Sequence, residues 1–295
     1  MVVRIVDKSL LRQRLARTHG RPTAHPLFLL EAAVAEIADR LASVERRFPV
    51  AVAFGGQTRA FAEALLRTGK VGQAIRFEQA EAAFRSCTLA GAVVEEETLP
   101  LAAGSIDLFA SALALQWTND LPGTFLQIRQ ALRPDGLFLA AMAGGRTLAE
   151  LREVLFRAET ELRGGASPRV LPTAAVRDLG ELLQRAGFAL PVADRDVLTV
   201  RYDSAFQLFA DLKGMGATNS LVDRDRRPVG RRFFLRAAEI YSERFSDPDG
   251  RIRATFEIVS LSGWAPHESQ QKPATRGSGK ISLADVLGSG KRRAK

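Results

Sequence analysis

The chain has 295 residues, 46% of them hydrophobic, and its 42 basic and 33 acidic side chains leave a formal charge of +9. No apolar run approaches the roughly 20 residues that span a bilayer, so no transmembrane segment is expected. One cysteine, Cys87, offers no intrachain disulfide and, with three histidines, few metal ligands; a reducing, cytoplasmic setting without a structural metal is expected.

The basic excess attracts acidic partners without specifying their class. No zinc-finger spacing or RNA-binding aromatic motif accompanies it to point to nucleic acid. The first 21 residues hold Arg4, Lys8, Arg12, Arg14, Arg17 and Arg21 against Asp7 alone. That spacing is like a weak organelle presequence without an apolar signal core; a solvated arm or partner-docking helix is the preferred expectation.

Leu27, Leu30, Val34, Ile37 and Leu41 recur at helical spacing and predict an amphipathic helix over 27–46. Pro49 separates it from a short strand at 50–54, and Gly55 and Gly56 make the following turn. Phe61, Leu65 and Leu66 mark one face of the next helix, which ends at Gly69. A second strand at 74–77, a helix from about 79, and a third strand visible only as Val93 and Val94 come next. Cys87, between Phe84 and Leu89, is read as a small buried hydrophobe rather than a nucleophile.

The fourth strand, at 106–113, runs into Ala114, Leu115, Gln116 and Trp117. Pro122 lies near the start of a helix through 132, where its missing N–H costs little. Asp135 and Gly136 turn the chain into a fifth strand at 137–142, apolar on both faces as in covered parallel sheets. A helix at 147–162, a glycine- and proline-rich loop at 164–173 that could form a lid, and a helix at 175–186 follow. Strands at 192–200 and 252–261 bracket a largely helical insertion at about 201–250. Its arginine-rich loop at 223–232 is expected to be exposed, as a solvated turn or as a surface for an acidic ligand or partner. From 266 onward the chain is polar and expected to be flexible, with Ile281, Leu283, Val286 and Leu287 as a short docking element.

The repeated strand–helix–strand order predicts an α/β layered domain over 47–265, preceded by a basic arm and helix at 1–46 and followed by a basic tail at 266–295. Open parallel sheets bind ligands outside the carboxyl ends of their strands, where the strand order reverses. That rule gathers Gly55, Gly56, Glu78, Glu95, Glu96 and Ser111 around one crevice. The two glycines allow close backbone approach. Glu78, at the end of the second strand, is placed to accept both hydroxyls of a ribose, and Glu95 to face an adenine amino group between Phe77 and Leu99. Either carboxylate could equally be an ordinary surface group.

Residues 95–100 (EEETLP), 105–108 (SIDL), 116–123 (QWTNDLPG), 127–136 (QIRQALRPDG) and 139–147 (LAAMAGGRT) resemble class I S-adenosylmethionine-dependent methyltransferases. The likeness is greatest to the branch of the mitochondrial complex I assembly factor 5, an arginine hydroxylase with a methyltransferase fold. It is weaker to the malonyl-carrier-protein methyltransferases, and it extends in patches from Asp7 to Pro266. The resemblance implies a Rossmann-like fold, a seven-stranded, mostly parallel sheet with helices on both faces and its last strand antiparallel. It also implies S-adenosylmethionine contacts at the first three strand ends and near the fourth. The chain departs from the pattern at Ala53, where an acidic residue is usual, at Arg59, which replaces a glycine, and at Gln116, where the branch commonly has histidine. Arg59 would either bring bulk into the site or pair with the cofactor carboxylate.

For methyl transfer, Gln116 and Asn119 are the residues placed to orient an acceptor, and Trp117 would supply an apolar or cation-facing wall or simply core. Asp120 reads as a helix cap. His19, His25 and His267 lie far apart along the chain, and no iron triad is recognisable. The expected function is an S-adenosylmethionine-binding methyltransferase-family enzyme acting on a protein substrate, in complex I assembly. Three other readings stay open: a non-catalytic scaffold, a protein arginine hydroxylase, and a small-molecule or carrier-thioester methyltransferase. The last predicts a closed, acyl-sized pocket beneath 144–173.

Overall fold

The computed structural model describes residues 3–19, 27–84, 89–271 and 278. Cys87, His25 and the apolar set at 281–287 lie outside the described residues. Two helices, α1 (Lys8–His19) and α2 (Phe28–Ala42), precede β1 (Phe48–Gly55), α3 (Ala60–Arg67), β2 (Val71–Glu78) and β3 (Gly91–Val93). The second half carries β4 (Ile106–Ala112), α4 (Leu121–Ala131), β5 (Leu132–Ala143), α5 (Ala149–Arg163) and α6 (Val176–Arg185). β6 (Ala189–Tyr202), α7 (Ala205–Gly214), α8 (Arg231–Phe245) and β7 (Ile252–Trp264) complete it.

The seven strands form one sheet in the order β3-β2-β1-β4-β5-β7-β6. The first five run parallel, and β7 is antiparallel to both β5 and β6. The central strands are buried on both faces because each alternate side chain meets a helix layer. On one face Val52, Phe54, Phe109 and Phe138 join Phe125, Leu179 and Leu183. Ring centroids 6.0 Å apart for Phe54–Phe109, 6.3 Å for Phe109–Phe138 and 5.5 Å for Phe125–Phe138 carry this core from β1 to α4. On the other face Ala51, Ala53, Ala110 and Leu139 meet Ile37 and Leu41 of α2 and Phe61 and Leu65 of α3. Small side chains on those strands let the helices pack close.

Three expected boundaries move. Pro49 lies inside β1 rather than before it; proline is tolerated near the start of a strand, where few ladder bonds are lost. The helix expected from about 79 is, within the described residues, a single 3-10 turn at Glu81–Phe84. Its Ala83 carbonyl accepts from the buried Arg76 guanidinium at 3.3 Å instead of continuing a helix. β5 begins at Leu132, where Arg133 forks onto Asp107 at 3.0 and 2.9 Å. After β7 the chain turns back, and Gln270 donates to Asp135 at 2.9 Å and to the Ala265 carbonyl at 2.8 Å.

Candidate active site

The strand order reverses between β1 and β4, and the turn after β1 sits at that point. Gly55, Gly56 and Gln57 follow one another at φ 78°, 93° and 57°. A Cβ on Gly55 would lie 2.7 Å from the Ala114 Cβ and 2.9 Å from the Ala112 carbonyl, and one on Gly56 would lie 2.7 Å from the Phe61 Cβ. Only glycine therefore keeps this backbone against the strand ends. Arg59 is 63% exposed and pairs outward with Glu63 at 3.2 Å, so it leaves the crevice free. Ala53 and Phe54 are wholly within the two core layers.

Glu78 is buried at the end of β2 and accepts from Arg76 Nη2 at 2.6 Å. The two residues are two apart on one strand, so both side chains leave the same face of the sheet. Burial pushes the Glu78 carboxyl up to about 7 against the opposing pull of Arg76. The Arg76 guanidinium also lies 5.0 Å over the Phe84 ring, and its Nη1 finds no partner among the described residues. Ser111, at the end of β4, is buried with its Oγ unpartnered.

Beyond β3, Glu95 is exposed and pairs with Arg12, whereas Glu96 is buried and accepts from Lys8 Nζ at 2.9 Å and from Gln79. Lys8 also reaches Glu97 at 3.3 Å and donates to the Trp117 carbonyl at 2.8 Å. Burial would raise the Glu97 carboxyl, but the Asn119 N–H and Lys8 hold it below its usual range. The basic N-terminal stretch expected as a solvated arm or docking helix is thus a helix laid across the strand ends. Leu11 and Leu15 are buried beside Trp117 and Leu171. Asn119 accepts from the Ile5 and Val6 N–H groups, each at 2.8 Å, and donates back to the Val6 carbonyl at 3.2 Å, so its amide is spent holding that segment. His19 ends the helix with both ring nitrogens buried and unpartnered among the described residues; burial pushes its pKa down to about 4.

Next to this crevice is a cavity of about 170 Å³ whose lining includes Gln57, Gln116, Trp117, Arg169, Leu171 and Glu257. The loop at 164–173 contributes one wall. Arg169 is neutralised within that wall, donating to Glu159 at 2.9 and 2.5 Å, and it lies 4.7 Å over the Phe233 ring. Thr147 fixes the opposite side: its hydroxyl donates to the Glu257 carbonyl at 3.0 Å and accepts from the Glu257 N–H at 3.1 Å. Gln57 belongs to both the glycine turn and the cavity lining, so the two spaces adjoin.

Residues 52–140 match the family model for a methyltransferase domain. Over 272 residues the chain is 40% identical to the mitochondrial arginine-hydroxylase NDUFAF5 of Danio rerio, covering 90% of this chain and 83% of that protein. The chain belongs to the NDUFAF5 arginine-hydroxylase family. It is also 37% identical over 182 residues to a malonyl-[acyl-carrier protein] O-methyltransferase of Xylella fastidiosa, covering 62% of this chain and 58% of that one. Among solved structures, the YcgJ protein of Bacillus subtilis superposes with a TM-score of 0.56 at 12% identity, over 79% of this chain and 99% of that one. That likeness shows the fold alone.

As an NDUFAF5-family member, the chain is an enzyme of the S-adenosylmethionine-dependent methyltransferase superfamily. The crevice fits that cofactor: a turn that excludes Cβ atoms faces a buried strand-end carboxylate and an unpartnered hydroxyl. The expected cytoplasmic setting is corrected by the relatives from Danio rerio, rat, human and mouse, all named as mitochondrial proteins. A lone cysteine forms no intrachain disulfide in any compartment, so it never discriminated between them.

Sequence reasoning passed over Arg76, Glu257 and Gln57, and it read Lys8 and Arg12 only as part of a basic arm or docking helix. Arg76 and Glu257 each carried a signal, a single charge inside an apolar strand (AIRFE and TFEIVSL). Lys8 and Arg12 lie one helical turn apart on α1, a spacing that was legible, but their partners stand 88 and 83 residues further on.

Proposed function

We propose that the chain binds S-adenosylmethionine in the strand-end crevice and modifies an arginine side chain of a protein partner during assembly of respiratory complex I. Hydroxylation is the reaction in the names of its relatives. The observation that carries the reading is the junction at Gln57, where the glycine turn meets a cavity large enough for one side chain.

In this reading Glu78 accepts the ribose hydroxyls, and Glu95 and Glu96 bound the adenine edge. The Gly55–Gly56 backbone and Ser111 face the amino-acid end. When bound, S-adenosylmethionine supplies an activated methyl group on a cationic sulfur. Gln116 and Trp117 hold the substrate side chain at the cavity mouth, while α1 and the loop at 164–173 exclude water. Positioning of this kind replaces encounter between two free reactants.

A second reading, methyl transfer to an acyl thioester, is supported by the leucine-rich cavity wall formed by Leu148, Leu151 and Leu171. The two are separated by incubating the chain with S-adenosylmethionine, air and a reductant, against arginyl peptides and a malonyl thioester. Mass spectrometry that finds oxygen added to arginine supports hydroxylation, and a methyl group in place of an N–H hydrogen of arginine redirects the chemistry at the same residue. A methyl ester on the thioester supports the second reading. No change in either substrate contradicts both.

A further inference from the structure

Two buried acceptors that line the cavity, on Glu257 and Gln116, lack a hydrogen-bond donor among the described residues. Glu257 lies on β7, 3% exposed, and lines the cavity. Its Oε2 accepts no hydrogen bond from any described residue. The cation nearest to it, Arg195, approaches to 3.5 Å from the next strand, but its side chain is 53% exposed and makes no hydrogen bond there. Leaving a buried carboxylate oxygen without a donor costs more than leaving a neutral acceptor so. Gly144 makes the space: a Cβ there would lie 2.4 Å from Glu257 Oε1.

Gln116 repeats the pattern on another wall of the cavity. Its Nε2 donates to the Leu113 carbonyl at 2.7 Å, which turns the amide so that Oε1 is buried and unpartnered. Two unmet groups of the lining are therefore acceptors, one of them charged, while the cationic Arg169 is already satisfied by Glu159. A carboxylate ligand would meet acceptors where it needs donors. A planar cation carrying several N–H donors would satisfy both, and Trp117, an aromatic residue of the type on which such cations stack, also lines the cavity.

We infer that Glu257 and Gln116 together form the recognition site for the guanidinium of the substrate, Glu257 as the specificity-determining anion and Gln116 as the second acceptor. The inference rests on the arginine-modifying reading above and assigns its substrate contact. Because both groups accept from N–H rather than take part in bond making, they position the side chain and leave the chemistry to the adjoining crevice.

The test uses the full chain and three probes: N-acetyl-arginine amide, its neutral isostere N-acetyl-citrulline amide, and S-adenosylmethionine, each titrated by calorimetry. The wild type should bind the arginine probe at least tenfold more tightly than the citrulline probe. Glu257→Gln should abolish that ratio while leaving S-adenosylmethionine binding unchanged, and Gln116→Leu should weaken arginine several-fold. Glu257→Asp, which keeps the charge at shorter reach, should retain part of the preference and guards against a misfolded Glu257→Gln. A wild type indifferent to arginine over citrulline overturns the inference, as does a Glu257→Gln variant that keeps the full preference. Loss of S-adenosylmethionine binding in the wild type counts against the cofactor reading alone, so the two failures are distinct.

Discussion

The two sides of the sheet's carboxyl edge meet opposite electrostatic demands. On the nucleotide side each buried carboxylate already has a donor: Glu78 has Arg76, and Glu96 has Lys8 and Gln79. On the acceptor side Glu257 Oε2 and Gln116 Oε1 have none among the described residues. On the first side the carboxylates are held by their own chain, while the Ser111 hydroxyl is left without a partner among the described residues. On the inference drawn above, the second is completed by the guanidinium that enters it. A crevice that every substrate cycle reuses is internally braced, whereas selectivity is lodged in groups that are costly to leave unpaired.

The sharpest way to break the contrast is to make the nucleotide side resemble the other. Glu78→Ala leaves the Arg76 guanidinium buried without its anion, and a loss of about 3–5 kcal/mol is expected in urea unfolding. Replacing both residues together, Arg76→Met with Glu78→Leu, should restore most of that stability. A double variant no better than the single one would show that the pair is not what braces the strand end.

The pH dependence separates the same groups. With its carboxyl raised from 4.5 to about 7, folded Glu78 keeps a proton that the unfolded chain has released, so its contribution to stability is lost as pH climbs from 4.5 through 7. His19, lowered from 6.5 to about 4, acts in reverse: the unfolded chain holds the extra proton, and stability grows as pH rises from 4 to 6.5. The two oppose each other over most of that window. Glu78→Gln should uncover the His19 slope, up to about 1.4 kcal/mol per pH unit, in urea midpoints taken stepwise from pH 4 to 7. A Glu78→Gln profile parallel to the wild type would contradict both assignments.

Smaller effects are expected at the edges of the contrast. Lys8→Met removes the cation from the buried Glu96 and should cost about 1–3 kcal/mol, seen as faster amide exchange along α1. Asp120→Ala should cost about 1 kcal/mol, because Asp120 Oδ1 accepts from the Gly123 N–H at 2.9 Å at the start of α4. Exchange in α1 unchanged by Lys8→Met would mean that Leu11 and Leu15 alone hold the helix down.

Much of the fold was legible because its strands are local and apolar. Residues 106–113 and 137–142 announced β4 and β5, and QWTNDLPG announced the turn and cap before α4. What stayed hidden depends on long-range pairing. Nothing near Lys8 shows that it will meet Glu96, and nothing near Asn119 shows that Ile5 and Val6 will consume its amide. The crevice residues were readable from their strand-end positions, but the direction of Arg59 was not, since a helix-start arginine can turn inward or outward with equal local cost. The cavity was anticipated only as a consequence of the thioester reading, and its unpaired Glu257 was passed over because a single acidic residue in a strand has no pattern of its own.

The central claim, that the crevice at the end of β1 holds S-adenosylmethionine, is tested most directly by calorimetric titration of the wild-type chain beside Glu78→Gln. A saturable heat with a rise in melting temperature, weakened in Glu78→Gln, is the predicted result. Neither heat nor stabilisation from the wild type at millimolar S-adenosylmethionine would contradict it.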